Sequence, residues 1–302
     1  MQNYNSKVKI IFFGSSEYVI PIIKSLQKNF DLGLVLTTEN PKTKKSNLAS
    51  RGEASQSYSV IWYCVKNKIP YRSVTNLSDP NLKLKIENLK LKIAVLADFG
   101  LIIPQEILNI FPKGIINIHP SLLPKYRGPT PVQTAILNGE KITGVSIMKL
   151  DEELDHGPVL GQEQEEILDT DTSESLYKRL FEKGVNLLPK LLNDYLNGNL
   201  NPIAQNHKNA TFTKALKRED GYIDISKLEV RGEKLEVDRK IRAYFPWPGV
   251  WTKLEVRSEK LEVRIKFLPG EKIQVSGKKP MSYKDFLNGY PELKQQLGKL
   301  LE

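Results

Sequence analysis

The chain has 302 residues, a formal net charge of +10 and 40% apolar residues, with a sequence pI near 9.3. That length and apolar content fit about two domains with a real core, and a single cysteine excludes an internal disulfide framework. No His–Cys spacing suits zinc, and neither a signal-type apolar segment nor a membrane-length apolar run is present, so a cytoplasmic protein is expected.

In chain order, Val8 to Phe13 reads as a buried strand ending at Gly14-Ser15-Ser16. Ser15 or Ser16 is then expected to N-cap a helix through Lys28, with Val19, Ile22, Ile23 and Leu26 on one face. Without a G-x-G-x-x-G pattern, this turn is read as sheet architecture with a possible anion site. Leu32 to Thr37 is a second strand. The stretch from Thr38 to Ser59 is polar, has no periodicity, and carries Lys42, Lys44, Lys45 and Arg51; functional loops and idle ones share this composition. Helical segments over 61–67, 82–90 and 104–111 alternate with strands over 69–74 and 92–97. This alternation predicts an α/β fold with a mostly parallel sheet and helices on both faces.

The strand Ile115 to His119 is the most informative. Residues two apart share a face, so Asn117 and His119 present an amide and an imidazole side by side, and Pro120 then forces the chain out of regular structure. Open α/β sheets keep their sites at such C-terminal strand ends; a strand edge with a satisfied Asn and His is the competing reading. A helix over 132–138 and a strand over 143–150 follow. The acidic loop Asp151 to Pro158 comes next, then a strand over 161–167. A long amphipathic helix starts at Asp171 or Thr172, with Leu176, Leu180, Leu187, Leu191 and Tyr195 on one face and Gly198 as its stop.

Residues 1–200 are expected to form the first domain, 201–215 a linker, and 216–302 a small β-barrel or sandwich built on strands over 250–256, 261–267 and 273–275. Residues 1–205 carry 24 Lys and Arg against 21 Asp and Glu; residues 206–302 carry 21 against 14. The excess positive charge therefore lies in the last third, as a polyanionic partner or a solvated surface would have it. Residues 227–237 recur at 253–263 with one difference, which reads as a duplicated insertion into surface hairpins.

Asn117, His119 and Asp155 form a coherent chemical set. A neutral imidazole takes a proton from an attacking amine, a carboxylate supports the imidazolium, and an amide N–H donates to the oxygen of a tetrahedral intermediate. The set suits acyl-type transfer to nitrogen without a covalent enzyme intermediate. His156 is a competing base without the same motif context. Cys64 reads as core.

The segments Asn117 to Gly128, Thr143 to Met148 and Leu154 to Leu160 resemble the methionyl-tRNA formyltransferase family. The resemblance implies a Rossmann-like formyltransferase domain followed by an OB-like tRNA-binding domain. It implies 10-formyltetrahydrofolate as co-substrate, methionyl initiator tRNA as acceptor, no metal, and a monomer. It makes Asn117, His119 and Asp155 catalytic. It places Phe99, Gly100, Ser121, Leu122, Leu123, Pro124 and Asp151 at the folate and the basic residues of the 38–59 loop on the tRNA. Ile241 to Gly249 matches the entry to the C-terminal domain. Two segments depart from the family pattern: Gly14-Ser15-Ser16 stands for Gly-Thr-Pro, and Glu39 to Lys45 replaces the usual acceptor-stem loop. An amino-sugar formyltransferase and a nucleic-acid-binding protein without activity are the other readings.

Overall fold

The computed structural model describes residues 8–38, 59–225, 231–256, 261–294 and 297. Lys42, Lys44, Lys45 and Arg51 lie outside the described residues, as do parts of both repeat copies. The chain divides into two compact units: Met1–Arg127, Gly144–Glu165 and Lys178–Thr211 form one, and Gly128–Thr143, Glu166–Tyr177 and Phe212–Glu302 the other.

Seven strands make one sheet: β1 (Lys9–Phe13), β2 (Asp31–Thr37), β3 (Tyr71–Ser73), β4 (Ala94–Leu96), β5 (Ile115–His119), β6 (Ile142–Lys149) and β7 (Val159–Glu166). Their order is β3-β2-β1-β4-β5-β6-β7. β1 pairs in parallel with β2 and β4, β2 with β3, and β4 with β5; β6 is antiparallel to β5. β1 lies mid-sheet and is buried from Ile10 to Phe13, and β5 is buried throughout. Covered strands of this kind read as continuous apolar runs rather than alternating ones. Ile11, Phe13, Leu36, Ile86, Ala94 and Ile115 belong to one core cluster. Chain order reverses between β1 and β4, and a crevice opens at such a switch point, beyond the carboxyl ends of the strands.

The first helix starts later than its capping serines suggest. A 3-10 turn spans Glu17–Val19, and α1 (Ile20–Asn29) follows with Pro21 in its first turn. Neither serine caps α1. Ser15 Oγ instead accepts hydrogen bonds from the Thr38 amide (3.0 Å) and hydroxyl (2.7 Å), joining the ends of β1 and β2. The helices α2 (Val60–Lys66) and α3 (Pro80–Asn88) are capped by Ser59 and Asp79, and the short α4 (Gln105–Leu108) precedes β5. Later come α5 (Pro131–Leu137) and the long α6 (Ser173–Leu196). On α6, Leu188 rather than Leu187 is fully buried. Gly184, one turn earlier, lies flat against Ile118 and Val145, so the inward stripe runs through 184 and 188 at the helical period.

The second unit carries an antiparallel sheet of β8 (Val250–Val256), β9 (Leu261–Leu268), β10 (Lys272–Val275) and β11 (Met281–Ser282), in the order β11-β10-β9-β8. It also holds α7 (Arg231–Ala243) and α8 (Tyr283–Gly289). The repeat departs from the hairpin expectation. Its second copy does enter β8 and β9, but residues 231–237 of the first copy are helical, in α7. Val237, Ile241 and Tyr244 are buried at helical spacing, and tertiary packing of that stripe overrides a weak local preference. Among the described residues, no helix is long and apolar enough to cross a membrane.

Candidate active site

The C-terminal end of β5 brings the predicted set together. Asn117, His119 and Asp155 are 6%, 4% and 8% exposed. Asp155 comes from the loop between β6 and β7, with φ of 48°, a left-handed conformation that Asp and Asn adopt most readily after Gly. Asn117 Nδ2 donates to Asp155 Oδ1 at 3.3 Å, and His119 Nδ1 lies 3.6 Å from Asp155 Oδ2. His119 Nε2 is 2.9 Å from the Tyr126 carbonyl oxygen. A carbonyl only accepts, so Nε2 carries a hydrogen, and in the neutral ring Nδ1 carries the lone pair. The basic nitrogen thus faces the Asp155 carboxylate, and the bond to Asp155 uses only one of the two amide N–H groups of Asn117.

The 121–124 loop is held from β6 and β7. The bond Leu123–Pro124 is cis. Ser146 Oγ accepts from the Leu123 amide at 3.0 Å and donates to the Ser121 carbonyl. Gln162 Nε2 donates to the Leu123 carbonyl and to Ser146 Oγ, both at 2.8 Å. Ser121 Oγ donates to the Lys125 carbonyl at 2.7 Å. A Cβ on Gly144 would collide with the Glu163 carbonyl oxygen and the Leu122 side chain. The Thr143-Gly-Val-Ser146 motif is thereby explained: Gly144 admits Leu122 and Ser146 anchors the backbone beside it. Gly144→Ala is expected to cost about 1–3 kcal/mol, as overpacking does; a thermal melt checks this.

Phe99 lies at the switch point, edge-on to Phe13 with ring centroids 5.5 Å apart. The Ser15 amide donates to the Asp98 carbonyl at 3.0 Å, tying the first turn to the Phe99-Gly100 loop. Asp151 is paired with His156 Nδ1 at 2.7 Å. His156 in turn stacks on His207, with centroids 3.9 Å apart and planes 9° apart. That pairing leaves Nε2 as the basic nitrogen of His156, so what favours His119 as the base is its buried place beside Asn117 and Asp155. Four groups were absent from the sequence reading of the site: the Tyr126 carbonyl, Arg127, Gln205 and His207. Tyr126 and Arg127 lay within the quoted Asn117 to Gly128 segment; a lone Gln and His in a polar stretch give no signal. Among the described residues, no group of His, Cys, Asp and Glu could hold a metal.

The family model described as formyl transferase matches residues 7–192. The chain is 36% identical over 245 residues to methionyl-tRNA formyltransferase of Roseiflexus sp. (strain RS-1), covering 81% of this chain and 73% of that one. It is 34% identical over 243 residues to the enzyme of the same name from Thermodesulfovibrio yellowstonii, covering 80% and 75%. Among solved structures, a 4-N formyltransferase from Francisella tularensis superposes with a TM-score of 0.63 at 20% identity, over 88% of this chain and 99% of that one; at that identity the likeness speaks for the fold alone. The identities over four-fifths of the chain reach past the matched domain, and with them the chain belongs to the methionyl-tRNA formyltransferase family.

Proposed function

We infer that this chain transfers the formyl group of 10-formyltetrahydrofolate to the free amine of methionyl initiator tRNA. The observation that carries the chemistry is the buried Asn117–His119–Asp155 set, with the lone pair of His119 turned toward Asp155. The folate supplies a formyl carbon on a nitrogen that can leave. As the amine attacks that carbon, His119 Nδ1 takes its proton, and Asp155 stabilises the imidazolium that forms. The spare N–H of Asn117 donates to the formyl oxygen as it gains negative charge. A new C–N bond forms, the old one breaks, and the departing nitrogen recovers the proton from His119. Phe99, Gly100, Asp151 and Ser121 to Pro124 are the proposed folate contacts, their support being the anchored 121–124 loop and the adjoining switch point.

The acceptor is read from the relatives' names, and residues 216–302 are taken as an OB-like tRNA-binding domain after the 1–200 catalytic domain. The four-stranded antiparallel sheet and the basic last third support this. One face of that sheet suits nucleic acid. The Arg264 guanidinium sits 3.9 Å from the Trp251 ring centre, and Tyr222 packs on the same ring at 4.9 Å. Burial, then the nearby Arg218 charge, pulls Arg264 below the usual arginine range. Trp251 lies opposite Lys266 across the strands, and Arg264 opposite Lys253. Stacking is worth about 1–3 kcal/mol per base, so Trp251→Ala is expected to raise the tRNA KM by roughly tenfold or more. Arg264→Ala is expected to flatten the salt dependence by about one unit of slope. Lys42, Lys44, Lys45 and Arg51 are proposed to contact the tRNA near its reacting end.

The deciding assay offers charged initiator tRNA, charged elongator tRNA and a nucleotide-linked amino sugar side by side. Formylation of the initiator tRNA, weakening steeply with salt, is expected. The sugar reading has fold likeness alone behind it: an N-formyltransferase from Helicobacter canadensis in complex with folinic acid and dTDP-3-aminofucose superposes with a TM-score of 0.61 at 21% identity. It prevails if only the amino sugar is formylated.

A further inference from the structure

Gln205 lies beyond the residues that match the family model, yet it is 8% exposed and reaches the catalytic loop. Its Nε2 donates to the Asp155 carbonyl at 2.9 Å and the Gly157 carbonyl at 2.7 Å. Its Oε1 accepts from Arg127 Nε at 3.2 Å and Nη2 at 2.8 Å. Both amide hydrogens and both lone pairs are used, and the partners allow one orientation only, because carbonyls accept and guanidinium donates. Arg127 is 3% exposed and its Nη2 is also 2.8 Å from His207 Nδ1; facing a pure donor, that nitrogen presents its lone pair. The His207 ring covers His156, the residue after Asp155. Ile203 bridges Val159 through reciprocal backbone hydrogen bonds of 2.8 Å. Residues 203–207 therefore form a strap over the loop that carries the catalytic carboxylate.

The geometry points to Gln205 as the positioning residue of Asp155, with Arg127 and His207 fixing its amide. Asp155 sits in the left-handed region, a conformation that persists where surrounding contacts over-determine it. Gln205 supplies two of those contacts on the backbone, at 155 and at 157. A rotation there would swing the carboxylate away from His119 Nδ1, and a misplacement of about 1 Å can lower a rate roughly a hundredfold. The hydrogen-bonding positions of the Gln205 amide are all taken by protein groups, so its removal should lower kcat and leave KM for both substrates nearly unchanged.

Gln205→Glu tests this with almost no change of shape. The glutamate still accepts from Arg127 but cannot donate to the two carbonyls. This inference rests on the formyl-transfer reading, and wild-type activity in the same assay separates the two: an inactive wild type defeats that reading, whereas an active wild type with an unaffected variant defeats this inference alone. A fall in kcat of roughly ten- to hundredfold is expected, with each KM within about twofold. Placed on Asp155→Asn, the same change should add little, since residues that act through one another are not additive. His207 gives a second route if Gln205→Glu folds poorly. His207→Phe keeps the ring on His156 but removes the acceptor for Arg127; His207→Asn keeps an acceptor and removes the ring. The phenylalanine variant should lose more kcat than the asparagine variant. An unchanged kcat in Gln205→Glu, a full additional loss on Asp155→Asn, or the reverse order of the two His207 variants would overturn the proposal.

Discussion

Replacing His119 by alanine is expected to lower kcat by roughly 10²–10⁴-fold, the range a positioned general base contributes. The lone pair of Nδ1 is fixed by the hydrogen bond from Nε2 to the Tyr126 carbonyl, so the ring is held ready in the resting protein. Alanine removes the proton acceptor and one hydrogen bond to that carbonyl, a loss of about 0.5–1.5 kcal/mol. The rate should therefore fall far more than the stability does. A base acts in the transition state, so KM for the folate should move little. Single-turnover formylation of charged tRNA, beside a thermal melt, measures both. A rate within tenfold of wild type would remove His119 from the mechanism.

How much of this was legible depends on how local each relation is. Asn117 and His119 share a face because strand periodicity puts them there, and Pro120 marks the strand end; both facts lie within four residues. The apolar runs of β1 and β5 announced covered strands in the same way. Asp155 is 38 positions from Asn117; its chemistry suited the set, and the resemblance supported it, but no local pattern placed it beside the other two. Gln205 and His207 stand in a polar stretch that reads as a linker. Their roles rest on meeting Arg127 across 78 and 80 positions, and no local pattern encodes that. The first turn shows the same limit at shorter range: Ser15 and Ser16 have the chemistry of caps, yet Ser15 is taken by Thr38 on the neighbouring strand.

The repeat shows why local preference alone is weak. Leu235-Glu236-Val237 is helical in α7, and the identical Leu261-Glu262-Val263 is extended in β9. In the helix, Val237 is followed at helical spacing by the buried Ile241 and Tyr244. In β9, Ile265 and Phe267 are buried in alternation. The downstream sequence sets the period, and the shared tripeptide follows it.

Asp155→Asn is expected to lower kcat by roughly 10³–10⁴-fold, by analogy with the loss when a buried carboxylate that supports a catalytic imidazole is made an amide. The substitution is conformationally clean. Asparagine tolerates the left-handed backbone that position 155 adopts, whereas a Cβ-bearing residue without a short polar end costs about 1–2 kcal/mol there. The Gln205 bonds go to the backbone carbonyls of 155 and 157 and survive the change. Two things are lost: the negative charge opposite the forming imidazolium, and the free lone pair of His119, to which the new amide can itself donate. Alanine at the same position loses the charge but cannot donate to His119, so its kcat should fall less while its melting temperature falls more. A stable Asp155→Asn protein with kcat within tenfold of wild type, or an alanine variant slower than the asparagine one at equal stability, would assign Asp155 to architecture rather than catalysis.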